Sequence, residues 1–135
     1  SCNVARGSNM GDIENGQFIL PREVIKAACN HFVDMPKATI KASTYCCGGG
    51  GGLLTDDLIE LRIKGAMPRM QALKQSQEND GVNTLAAICA ICKSQFSKVL
   101  PNYDFDPYMI VSVHQLVSDA LVLSDKSETK AEDSL

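Results

Sequence analysis

Cysteines are the residues of this chain best suited to chemistry. Of the six, five fall into an unusual spacing. Cys2 is followed after 43 residues by the adjacent pair Cys46–Cys47, and after a further 41 by Cys89-x2-Cys92. Cys29 stands apart. The adjacent pair runs straight into five glycines, Gly48 to Gly52. A Cys-x2-Cys at a strand-to-helix turn places two thiolates on one metal, and the N–H groups of the helix start favour their negative charge. Neighbouring cysteines in a strand would point to opposite faces, so Cys46 and Cys47 can share one small object only in an irregular loop. Glycines such as Gly48 and Gly49 supply the backbone freedom for such a loop and let it crowd a bulky group.

Four readings of the cysteines compete. A structural zinc site would take four of them, although adjacent ligands are rare in such sites and a fifth thiol would stand idle. A thioredoxin-like dithiol would use Cys89 and Cys92 alone and leave the pair unexplained. The thiols could be unrelated structural residues. An iron–sulfur cluster held by five of them is the fourth reading.

The elements that must position these residues follow from the rest of the 135-residue chain, long enough for one domain with its own core. It is 44% apolar and 21% charged, an ordinary globular composition. A net charge of −3 and a pI near 5.3 argue against nucleic acid as a partner and against an anionic membrane surface. No apolar run approaches a membrane span, and no signal peptide opens the chain. A reducing, cytoplasmic compartment is therefore expected, where clustered cysteines bind metal or do redox chemistry more often than they form disulfides.

Residues 1–17 read as a loop. Pro21 at a first turn and the stripe Val24, Ile25, Ala28 and Phe32 predict a helix over 21–31. Phe32–Met35 reads as a short strand ended by Pro36, and 37–52 as loop. Thr55, Asp56 and Asp57 open a long helix reaching about 77, which Pro68 should kink or break near 65–67. Strands are predicted over 83–88 and from 108, each leading into a helix, 90–100 and 114–123. The charged tail 124–135 reads as disordered. Alternating helices and short strands imply an α/β domain with a small parallel sheet flanked by helices. In such sheets sites gather at the carboxyl ends of strands, where Cys89 falls.

Several residues carry a plainer reading beside the sharper one. Cys29 reads as a small core hydrophobe on its helix. His31 reads as a partner of the helix-terminal carbonyls. His114 is a satisfied structural histidine or the proton donor to a leaving thiolate. Arg6 and Lys93 are surface charge or counter-charge to a bound group. The glycine run lacks the Lys-Ser/Thr of a nucleotide phosphate loop.

The pattern Cys2…Cys46-Cys47-Gly-Gly…Cys89-x2-Cys92 resembles the cysteine-rich CCG domain of heterodisulfide reductase subunits, a family that also includes iron–sulfur subunits of glycolate and lactate oxidases. Within it, "CCGGGGGLL", "LRIKGAMPRM", "ICAIC" and "HQLV" look like the DsrK-type subunits of DsrMKJOP complexes of sulfate reducers and sulfur oxidisers. The resemblance covers about residues 1–123. It implies a CCG-type fold and a non-cubane [4Fe-4S] cluster with Cys2, Cys46, Cys47, Cys89 and Cys92 as ligands. Gly48 and Gly49 would lie against the cofactor, and Cys46, Cys47 and His114 would serve catalysis. The implied activity is electron transfer to a disulfide or trisulfide carried by a small protein. The alternative is a non-catalytic electron-transfer or structural metal domain. Reducing a disulfide takes two electrons, whereas such a cluster usually passes one at a time. Partner subunits of a membrane-bound redox complex would supply the electrons and the only membrane association. Longer relatives carry ferredoxin-type cysteine runs upstream, so the chain is expected to be a C-terminal piece of such a subunit.

Overall fold

The computed structural model describes residues 2–7, 13, 14 and 16–123. Four α-helices, α1 (Leu20–Ala28), α2 (Ile59–Asp80), α3 (Ala90–Val99) and α4 (Val113–Ala120), accompany two short strands, β1 (Leu85–Ala87) and β2 (Ile110–Ser112). The strands are parallel, with Leu85 opposite Ile110 and Ala87 opposite Ser112, and α3 forms the crossover between them. The expected α/β class with a small parallel sheet is what the chain adopts. The predicted disordered tail, 124–135, lies outside the described residues.

Local chemistry accounts for the ends of these elements. Pro21 occupies the first turn of α1, where its missing N–H costs nothing. Gly81 ends α2 at φ +67, the left-handed turn that glycine adopts without a Cβ penalty. The Ser112 Oγ caps α4 by accepting from the Gln115 N–H at 3.1 Å. Just before β2 the Asp106 carboxylate accepts from the Tyr108 N–H at 2.8 Å, closing a 3-10 turn over Pro107–Met109. That turn delays the strand predicted from 108.

The core gathers around the inner face of α2. Ala66, Met70 and Leu73 meet Phe96 and Val99 of α3, Leu100, Phe105 and Met109 of the following turns, and Ala87 and Ile110 of the sheet. Cys47 is a member of this core, with Cys46 and Cys92 packed against it. The Tyr103 hydroxyl donates to the Ile63 carbonyl at 2.7 Å and ties the turn after α3 to α2.

Four expectations are corrected. Helix α2 runs unbroken through Pro68. The proline sits on the exposed face, so water can serve the Lys64 carbonyl it frees, while buried Ala66, Arg69, Met70 and Leu73 pin the helix on both sides. Phe32–Met35 pairs with no strand. Its Asp34 instead receives a bidentate pair from Arg22 at 2.6 and 2.9 Å, which holds the segment across the end of α1. Residues Cys2–Gly7, expected as loop, form a π-helical turn. Helix α1 ends at Ala28, so Cys29 is its extended C-cap, half-buried at the helix end, and not a residue of its apolar face.

Candidate metal centre

Three separated stretches bring thiols to one place. The first is the turn beginning at Cys2, fastened by Arg6, whose Nη1 donates to the Ala42 carbonyl at 2.8 Å and the Thr44 carbonyl at 3.3 Å. Arg6 therefore ties the first cysteine to the segment that leads into the second and third. The second stretch is the double-cysteine loop. The third is the β1-to-α3 turn, where Cys89 is the N-cap and Cys92 lies in the first turn of α3.

The double-cysteine loop is pressed onto α2 and α3. Gly48 takes φ +88, and a Cβ there would stand 2.3 Å from the Arg62 carbonyl oxygen and 2.8 Å from the Ala66 nitrogen. At Gly49 a Cβ would meet the Cys47 sulfur at 3.3 Å. The Gly48 N–H donates to the Cys46 sulfur at 3.3 Å. Side chains larger than hydrogen would lift this backbone off the helices and away from the thiols.

Two buried arginines of α2, neither singled out in the sequence, flank the loop. Arg62, 2% exposed, donates from Nε to the Gln95 Oε1 at 2.8 Å and from Nη1 to the Thr55 carbonyl at 3.0 Å, while its Nη2 has no partner among the described residues. Arg69, 6% exposed, donates from Nη2 to the Thr39 carbonyl, the Thr44 hydroxyl and the Tyr45 carbonyl at 3.3, 2.6 and 3.1 Å. Its guanidinium also lies over the Tyr45 ring, 5.8 Å from the centroid. Their spacing of seven, in register with Ala66 and Leu73, was the legible signal that both face inward.

Cys2, Cys47, Cys89 and Cys92 line one cavity of about 760 Å³, together with Arg69 and the ends of β1 and α4. That volume is in the range of small-molecule sites. Cys46 adjoins it through its interactions with Cys2 and Cys47. Among the described residues no three Cys, His, Asp or Glu side chains are grouped to hold a single metal ion. Cys29 and His31 also line the cavity, from the segment after α1. His114, in contrast, is exposed at the start of α4 and is not part of the lining. Lys93 is exposed on α3.

The thiols polarise one another. A hydrogen bond from Cys92, reinforced by the Gly49 N–H and by Cys46, pulls the Cys47 pKa down to about 6 against the opposing effect of burial. The same hydrogen bond, with burial and the charge of Cys47, drives Cys92 upward. Burial and the neighbouring Cys46 raise Cys2. In the metal-free protein Cys47 is thus the first of the pair to lose its proton, and Cys92 donates to the resulting thiolate. Ultraviolet thiolate absorbance of metal-free protein should accordingly reveal one group with a midpoint near 6. Replacing Cys92 by alanine removes the donor and should return that midpoint toward the ordinary cysteine range; an unmoved midpoint would assign the depression to another cause.

Iron–sulfur clusters are held by several cysteine thiolates, and a set of thiols gathered at one cavity from three distant stretches is the donor chemistry such a cluster takes. The chain is 46% identical over 132 residues to Hdr-like menaquinol oxidoreductase iron-sulfur subunit 2 of Archaeoglobus fulgidus. It is 45% identical over the same length to the Hdr-like menaquinol oxidoreductase iron-sulfur subunit of Archaeoglobus profundus. Each match takes in 98% of this chain but only 22% of the relative. No protein-family model matches, and no solved structure does. The likeness supports an Hdr-like iron–sulfur family and a redox role. No helix among the described residues is long and apolar enough to cross a membrane.

Proposed function

We propose that residues 1–123 form a CCG-type domain in which Cys2, Cys46, Cys47, Cys89 and Cys92 hold a non-cubane [4Fe-4S] cluster, and that a disulfide or trisulfide carried by a small protein is reduced against it. The observation that carries this reading is the placement of four of these thiols on one cavity, with the fifth adjoining it, although the chain separates them by up to 90 positions. The electrons would come from partner subunits of a membrane-bound redox complex; the relatives are named as iron-sulfur subunits of a menaquinol oxidoreductase. The "CCGGGGGLL" and "HQLV" segments favour a DsrK-type subunit of dissimilatory sulfur metabolism.

When bound, the cluster supplies electrons singly and an iron site at which a sulfur can be held. The chain's own residues divide the remaining work. Gly48 and Gly49 keep the backbone low, so that Cys46 and Cys47 can both face the space. The core around Cys47 excludes water from one side, and Cys29 and His31 stand on the cavity wall. Cleaving one disulfide consumes two electrons and two protons and leaves two thiols. Exposed at the cavity wall, the His31 imidazole is positioned to pass those protons from solvent to the leaving thiolates. His114 is exposed at the start of α4 and is not among the residues that line the cavity.

Anaerobic reconstitution of the complete subunit with iron and sulfide tests the proposal. Metal analysis and paramagnetic resonance should show a cluster bound by this region, and thiol release from a disulfide-carrying protein should follow its reduction. Replacing His31 by glutamine should slow thiol release roughly 10²-fold or more, the usual contribution of a proton donor, with cluster content unchanged. His114→Gln should leave both intact. A subunit that takes up no iron here would overturn the reading, and one that loads a cluster but releases no thiol would reduce it to electron transfer.

A further inference from the structure

The double-cysteine segment is gripped by α2 at two points. Beyond the cysteines the grip is steric, through the contact of Gly48 with the Arg62 carbonyl. Before them it is polar, and one side chain provides it. Arg69 gathers the Thr39 carbonyl, the Thr44 hydroxyl and the Tyr45 carbonyl, so three residues leading into Cys46 converge on one guanidinium. All three acceptors are neutral oxygens, so none of them cancels its charge. A guanidinium keeps that charge in any protein environment, and leaving it buried without a counter-ion is costly. The groups positioned to answer it are sulfurs, because Arg69 lines the cavity with Cys2, Cys47 and Cys92. Burial disfavours the guanidinium charge, and thiolate charge on Cys92, Cys2 and Cys47 would offset that cost.

We propose that Arg69 is a positioning residue that seats the double-cysteine segment and, as a buried fixed positive charge at the thiol cavity, raises the reduction potential of the group the thiols hold. This rests on the cluster reading above. Adding an electron makes a thiolate-held cluster more negative, so a nearby fixed cation stabilises the reduced form. Charge and hydrogen bonding around the sulfurs are among the protein's levers on such potentials.

The test compares Arg69→Met, which removes the charge, with Arg69→Lys, which keeps it and loses the fork. Both are made in the complete subunit, reconstituted with iron and sulfide. The readouts are iron and sulfide content and the midpoint of a redox titration followed by paramagnetic resonance. In Arg69→Met the reduction equilibrium should move at least tenfold toward the oxidised form, 59 mV downward for a one-electron couple. In Arg69→Lys the midpoint should stay near that of the unmodified subunit while cluster loading falls, because an ammonium cannot reach all three oxygens in the same geometry. A native midpoint in any loaded Arg69→Met preparation overturns the proposal, as does a lowered midpoint in Arg69→Lys. If Arg69→Met takes up no iron, Arg69→Lys decides: reduced loading at the native midpoint upholds the proposal, and native loading overturns it. An unmodified subunit without iron would instead defeat the cluster reading before any variant is compared.

Discussion

Replacing Cys46 or Cys47 by serine should abolish both cluster signal and disulfide reduction, whereas Cys29→Ser should spare both. The contrast follows from where the three sulfurs lie. Cys47 is 6% exposed, belongs to the core, and lies beside Cys92 and Cys46, which lower its pKa. A serine hydroxyl at that position is a poor iron ligand, and a buried hydroxyl without matched partners adds a folding cost of about 1–3 kcal/mol. Cys46 accepts from the Gly48 N–H and interacts with both Cys2 and Cys47, so its loss opens the middle of the thiol set. Cys29 is half-buried at the end of α1 and shares the cavity wall, outside the core that holds Cys47. Iron content and thiol release, measured on the same preparations of the complete subunit, distinguish these cases. If Cys29→Ser loses the cluster while Cys47→Ser retains it, the ligand assignment is wrong. If every variant reduces disulfides at the unmodified rate, catalysis does not occur at these thiols.

The second large effect is expected at Gly48, and it is an effect on folding. A methyl group there would sit 2.3 Å from one backbone atom and 2.8 Å from another, both in α2, and neither can rotate away as a side chain could. To this clash the left-handed φ of +88 adds about 1–2 kcal/mol for any residue with a Cβ. Gly48→Ala should therefore destabilise the metal-free chain by more than about 4 kcal/mol, the range reserved for severe backbone or core damage. Two neighbours serve as internal controls. Gly52 takes φ +124 with open space around its Cβ position, so Gly52→Ala should cost only the conformational strain, about 1–3 kcal/mol. Gly49 has no left-handed φ, and its added Cβ would meet the Cys47 sulfur at 3.3 Å, a contact that a small shift relieves. Urea unfolding of the three variants ranks them. Equal losses at Gly48 and Gly52 would mean that the loop is not pressed onto α2 as described.

Much of the architecture was legible because its signals are local. Pro21 and the short apolar runs predicted over 83–88 and from 108 lie within a few residues of the ends they determine, so these elements fall within a turn of their predicted places. The strand-to-helix placement of Cys89 and Cys92 was legible as well, because the apolar run and the helical pattern that flank them are written in the chain itself.

What failed depended on partners distant in sequence. Phe32–Met35 has strand-like residues but no strand beside it, and the Arg22–Asp34 pair decides its path. Pro68 predicts a kink or break, yet the residue is exposed, buried residues lie on either side, and α2 continues through it as one helix.

The sequence by itself determined which thiols exist, which are paired, and that glycine must follow them. Only the tertiary structure decided that Cys47 and Cys92 share one cavity, that Arg69 supports the segment leading into the cysteine pair, and that His31 and not His114 borders that cavity. The physical reason is one of range. Backbone preferences and caps act over a single turn, whereas the charge, burial and hydrogen bonding of a side chain are set by whatever α2, α3 and the strands carry next to it once the core has closed.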